Sequence, residues 1–172
     1  MPKNTDFRSQ SQFSTTSLDH SGSFVGRKIY WKLYAIENIY RVLIHSILTA
    51  QIGSNWWDIA VNPNIQKKAK EFKDDYSKRP WHTTPGNHFI YYAHLSHLNE
   101  IIRVNSHLFI ELVPDIEEWM VKVETLRLPR NVVAHMNFPN STDRARIDVL
   151  YEDFKNLLSS SSITSKVILQ IP

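Results

Sequence analysis

From Arg27 onward the apolar positions fall on one side of a helix. Ile29, Leu33, Ile36, Tyr40, Leu43 and Ile47 step by 4, 3, 4, 3 and 4 residues. That rhythm predicts an amphipathic helix from near Arg27 to Ile52, closed by Gly53. Pro63 suits the first turn of a second helix, whose apolar side is Ile65, Ala69, Phe72 and Tyr76. Phe89 to Ala93 reads as an extended run. Ser96 reads as the N-cap of a short helix carrying Leu98, Ile101 and Ile102. Pro114 opens a further helix through Trp119, Met120, Val123 and Leu126, with Asp115, Glu117 and Glu118 at its positive end. Pro129 is expected to kink it before it resumes through Asn131 to Met136. A last helix, capped by Ser141 or Thr142, carries Ile147, Leu150, Tyr151, Phe154, Leu157 and Leu158 at a 3.6-residue period. The sum is an all-α domain, a four-helix up-and-down bundle with additional short helices.

The ends differ from this middle. Nine of the first 26 residues are Ser or Thr, and their apolar positions keep no period. Residues 1–26 therefore read as a solvated, disordered tail, 27–158 as the helical domain, and 159–172 as a C-terminal tail. Within that tail, 163–172 is β-prone, an edge strand or disordered.

Composition narrows the chemistry. The 172 residues contain no cysteine and only four glycines. Disulfides, thiolate metal sites, cysteine nucleophiles and Gly-rich phosphate loops are thereby excluded. No apolar stretch approaches the roughly 20 residues of a membrane span, and no signal-peptide core is visible at the N-terminus. These features lead us to expect a cytoplasmic chain with no membrane contact. The net charge of +3 permits nucleic-acid binding without arguing strongly for it. Lys67, Lys68, Lys70 and Lys73 lie on the polar side of the second helix, interleaved with Glu71, Asp74 and Asp75. They are either a solvated face or a weak RNA-tracking patch. Trp56 and Trp57 are packing residues or, in the sharper reading, a stacking platform for a base. His94 and His97 have helical spacing, but no third ligand completes a metal set.

One string carries chemistry: Arg130-Asn131-Val132-Val133-Ala134-His135. Asn131 and His135 are four apart, on nearly one helical face, and Arg130 can swing towards them. A helix restarting at Pro129 would add free N–H groups, an anion site beside Arg130. Arginine offers a fixed charge in a planar fork, and histidine can accept or donate a proton near neutral pH. On the first helix, Glu37 and Arg41 are four apart and can pair.

This arrangement resembles the HEPN family, whose ribonuclease members carry an arginine and a histidine separated by four to six residues, often as RNxxxH. Arg130, Asn131 and His135 match that motif, and Glu37 is similar to the family's first-helix acid. The Gly53 to Trp57 stretch resembles HEPN domains attached to PIN-type RNA quality-control nucleases. The resemblance covers roughly residues 27–158. The toxin branch paired with nucleotidyltransferase antitoxins has tyrosine two places after the histidine, where this chain has Asn137. The resemblance implies a metal-independent endoribonuclease without cofactors, its active site shared across a homodimer. In that scheme His135 handles the proton, Arg130 neutralises transition-state charge, and Asn131 orients the imidazole or holds a phosphate oxygen. Glu37 and Arg41 support them. The implied partners are RNA, a second copy of the chain and, in toxin or defence settings, an antitoxin or regulatory protein. Two alternatives stay open: a non-catalytic HEPN module binding RNA or nucleotide, and a protein-interaction domain.

Overall fold

The computed structural model describes residues 6–9, 14–113, 115–160 and 166–172. Among them the chain is all-helical, with no strand. The helices are α1 (Thr15–Val25), α2 (Trp31–Ile52), α3 (Trp56–Ala60), α4 (Pro63–Ser77), α5 (Leu95–Val104), α6 (Ser106–Phe109), α7 (Ile116–Glu124), α8 (Arg127–Ala134) and α9 (Ser141–Leu158). They form a helical bundle around α2, which packs most extensively on α9. None is long and apolar enough to cross a membrane.

The period read along α2 is its buried face. Ile29, Leu33, Ile36, Tyr40, Leu43 and Ile47 are all buried. Ile147, Leu150, Phe154 and Leu157 of α9 meet this face, and the Tyr40 and Phe154 rings lie edge to face at 5.6 Å. Deeper still, the Tyr40 hydroxyl donates to Asn99 Oδ1 at 2.7 Å. Gly53 ends α2 with φ of 111°, a region that L side chains rarely enter.

Several local expectations are corrected. Residues 15–25 are not a solvated tail but α1, capped by Ser14, whose Oγ accepts from Ser17 N–H at 3.1 Å. A π-helical turn, Gly26–Tyr30, joins α1 to α2. Tertiary packing overrides the poor helix propensity of the Ser/Thr run. Phe24 stacks on Phe138 at 5.3 Å, and the Arg144 guanidinium lies over both rings. The rest of the predicted tail, 1–5 and 10–13, lies outside the described residues. Phe89–Tyr92 is a 3-10 turn rather than extended. His94, not Ser96, caps α5, and its backbone N–H donates to His97 Nδ1 at 3.3 Å. Asn140 caps α9 in place of Ser141 or Thr142, its Oδ1 accepting from Asp143 N–H at 2.8 Å. Pro114 lies outside the described residues, and Asp115 caps α7.

The helix break also moves. It falls at Thr125–Leu126, not at Pro129, which occupies the first turn of α8. A proline there forfeits no ladder bond, because first-turn N–H groups lack intrahelical partners. At the C-terminus no strand forms among the described residues. Instead Val167 is buried, and Gln170 N–H donates to Ser46 Oγ of α2 at 2.8 Å.

Candidate active-site cleft

The polar strip of α2 and the start of α8 meet in one cleft. Glu37 stands between two arginines. Its Oε1 accepts from Arg130 Nε at 3.0 Å, and its Oε2 accepts from Arg41 at 3.0 Å. The sequence left open whether Glu37 pairs with Arg41 or supports the motif; its two oxygens do both. Arg41 also donates to the Ala93 carbonyl at 3.4 Å, and its Nε is buried without a partner among the described residues. The Glu37 and Arg41 side chains are only 16% and 12% exposed, whereas Arg130 is 37% exposed. Arg130 therefore projects from a buried ion pair into solvent. Its two terminal nitrogens have no hydrogen-bond partner among the described residues, a half-open fork suited to an anion.

The cleft has a volume of about 400 Å³. Its aromatic wall is Tyr30, Tyr34 and Tyr91, with Asn38 and Pro85 beside them. These residues were missed in the sequence. A signal was there for two of them: Tyr30 and Tyr34 lead into Glu37 and Arg41 in steps of 4, 3 and 4, a second stripe beside the buried one. Nearby, partial desolvation and then the Arg130 charge hold the His94 imidazole below its ordinary pKa. The His97 ring is engaged in capping α5 through the His94 backbone N–H, and the His94 ring lies tilted against it at 5.2 Å. Among the described residues no cluster of three or more potential ligands could hold a metal ion.

The rest of the motif sits apart from the cleft. The α8 backbone places Arg130 in it, but Asn131 and His135 do not line it. Asn131 is half-buried and His135 is exposed. The expected anion site on free N–H groups beside Arg130 is absent, because Arg130 N–H already donates to Leu126 O at 2.8 Å. The cause is the earlier restart of the helix at Arg127, two residues before Pro129. His135 caps α8, and the next turn is closed by two bonds, Met136 N–H to Val133 O and Asn137 N–H to Val132 O, both 2.9 Å. This Schellman closure puts Met136 at φ of 57°. A methionine there carries strain that glycine would not. Met136 is 87% exposed, so Met136→Gly is expected to raise stability by about 0.5–1 kcal/mol, measured by urea denaturation.

The basic face of α4 is partly committed. Lys70 pairs with Asp74 at 2.6 Å, and Lys73 donates to the Asn87 carbonyl at 2.8 Å while lying over the Phe89 ring. Lys67 and Lys68 remain exposed. The idea that Trp56 and Trp57 stack on a base is corrected: they are 0% and 5% exposed and belong to the core. Their spacing at the start of α3 carried both readings, and only the surrounding helices decide. Comparison of the chain with protein-family profiles, curated proteins and solved structures finds no match.

Proposed function

We propose that this chain is a metal-independent endoribonuclease of the HEPN type, acting as a homodimer. One observation carries the reading. Arg130, from the RN-three-H string, and Glu37, singled out independently 93 residues earlier, meet in one cleft. Glu37 holds the guanidinium by Nε and leaves its terminal nitrogens free for a phosphate. His135 lies outside the cleft of its own chain and is exposed, which suits a site completed by a second copy. A two-fold axis brings the same patch from each chain together.

The reaction is a transesterification. The ribose 2′-hydroxyl attacks the adjacent phosphorus and loses its proton to one imidazole, as the bond to the 5′-oxygen breaks. The leaving oxygen takes a proton from the other imidazole. The products are a 2′,3′-cyclic phosphate and a 5′-hydroxyl. His135 of each chain supplies one imidazole, and Arg130 stabilises the charge on the phosphoryl oxygens.

The test is cleavage of end-labelled RNA in EDTA, with analysis of the product ends and light scattering at micromolar concentration. Cyclic-phosphate ends without metal, from a dimer, are expected. Activity lost in chelator and restored by manganese or magnesium would overturn the mechanism. A second reading, a non-catalytic RNA- or nucleotide-binding module, is favoured by the separation of His135 from Arg130 within one chain. Binding without cleavage selects it.

A further inference from the structure

We infer that the cleft beside Arg130 is a nucleobase pocket, taking one unpaired base against Tyr34 and Tyr91 with its phosphate on Arg130. It thereby selects single-stranded over duplex nucleic acid. The inference rests on the reading above that the chain handles RNA, and it names the form of RNA.

The walls argue for a flat aromatic ligand. Tyr30 and Tyr34 are 58% and 63% exposed, yet both line the cleft. Large aromatic faces left open beside a charged group present the π surface on which bases stack, whatever their identity. Tyr91 completes the wall from the far side of the chain, and its ring is braced closely. A β-carbon at Gly86 would sit 2.4 Å from Tyr91 Cδ2, so no side chain fits there. The neighbouring Tyr92 hydroxyl donates to the Gly86 carbonyl at 2.9 Å and holds that backbone in place. The loop thus leaves room for one ring and fixes it.

The polar groups suit a nucleotide. Arg41 and Arg130 face the single carboxylate of Glu37, so the cluster holds one net positive charge. The free fork of Arg130 matches phosphate geometry. Asn38 Nδ2 donates to the Tyr34 carbonyl at 2.8 Å, which leaves its Oδ1 to accept from a base edge. About 400 Å³ is at the lower end of small-ligand sites, enough for a nucleotide but not for a stacked pair. A duplex keeps its bases stacked inside and cannot offer one to these rings.

The test uses a fluorescent 2′-O-methyl oligonucleotide, which has no free 2′-hydroxyl and cannot be cut by the proposed reaction. Anisotropy titrations compare the single strand, its duplex and an abasic version, each against wild type, Tyr34→Leu, Tyr34→Phe and Gly86→Ala. The wild type is expected to bind the single strand about tenfold more tightly than the duplex or the abasic strand, given the energy of a stacked base. Tyr34→Leu should lose about tenfold and Tyr34→Phe under about twofold, since phenylalanine keeps the ring. Gly86→Ala should weaken binding like Tyr34→Leu. Equal affinity for the abasic strand, an unaffected Tyr34→Leu protein, or no binding by wild type would each overturn the pocket. Tyr34 is largely exposed, so its variants should fold, and circular dichroism checks this. Repeating the titration with a ribose strand, with cleavage followed in parallel, separates the two readings. A ribose strand bound with this tyrosine dependence but never cut removes the nuclease and keeps the pocket. A strand cut regardless of Tyr34 does the reverse.

Discussion

His135→Ala is expected to lower RNA cleavage by about 10²–10⁴-fold, the contribution of a positioned acid or base. Its fold should be unchanged. His135 is exposed, and its side chain makes no hydrogen bond among the described residues. Surface truncations of this kind stay within about 0.5 kcal/mol. Arg130→Lys probes the fork. A lysine keeps the charge but loses the planar group that joins Glu37 to a phosphate. A bidentate role therefore predicts a large rate loss, and a point-charge role a small one. The shared site makes a further demand. A dimer of one His135→Ala chain and one Arg130→Ala chain keeps a single imidazole, so mixing the two variants should leave activity far below wild type if the site draws on the histidines of both protomers. The measurements are a thermal melt by circular dichroism, an RNA-binding titration and a cleavage rate for each variant. A folded His135→Ala protein that cuts at the wild-type rate would end the enzymatic reading.

What the sequence revealed of this molecule follows from the range of the forces involved. The α2 and α9 stripes were legible because burial imposes a period on the chain itself. α1 was not, because its stability comes from Phe138 and Arg144, over a hundred residues away, and its own composition argues against a helix. The caps were misplaced by one or two residues. His94 took a position that generic preference gives to Ser96, and at α9 Asn140, as good a cap as Ser141, stands one residue earlier. At the site, the charged members were readable singly. Arg130 and Glu37 stood out by motif and spacing, but their ion pair joins distant helices and no local pattern encodes it. The tyrosine wall needs Tyr91 brought across by a proline-containing loop, which lies beyond any helical period.

The largest expected loss of stability is at Trp56. Its ring is fully buried, stacked on His88 at 5.1 Å and edge-on to Trp57 at 5.6 Å. Its indole N–H donates to His45 Nδ1 at 3.1 Å. Trp56→Ala removes all of this and leaves a cavity, so a loss of about 3–5 kcal/mol is expected in urea unfolding. The same cluster makes the fold acid-sensitive. His88 Nδ1 accepts from Ile90 N–H at 3.1 Å, and His45 Nδ1 accepts from Trp56, so each ring is held with that nitrogen unprotonated. Burial, then the neighbouring His45 and Lys73 charges, push His88 from 6.5 down to about 4, against the opposing pull of Asp58. Burial lowers His45 as well. A histidine depressed in the folded state binds its proton more readily when unfolded. Its stabilisation is therefore complete above the unfolded value of 6.5 and is lost as pH falls through about 4. For a half-buried ring, solvent screening reduces the effect to about 1–2 kcal/mol. Urea midpoints should fall between pH 7 and pH 4 in the wild type. His88→Gln offers an acceptor but no titration, and its midpoint should fall less over the same range. Equal pH slopes in the two proteins would show that acid acts elsewhere.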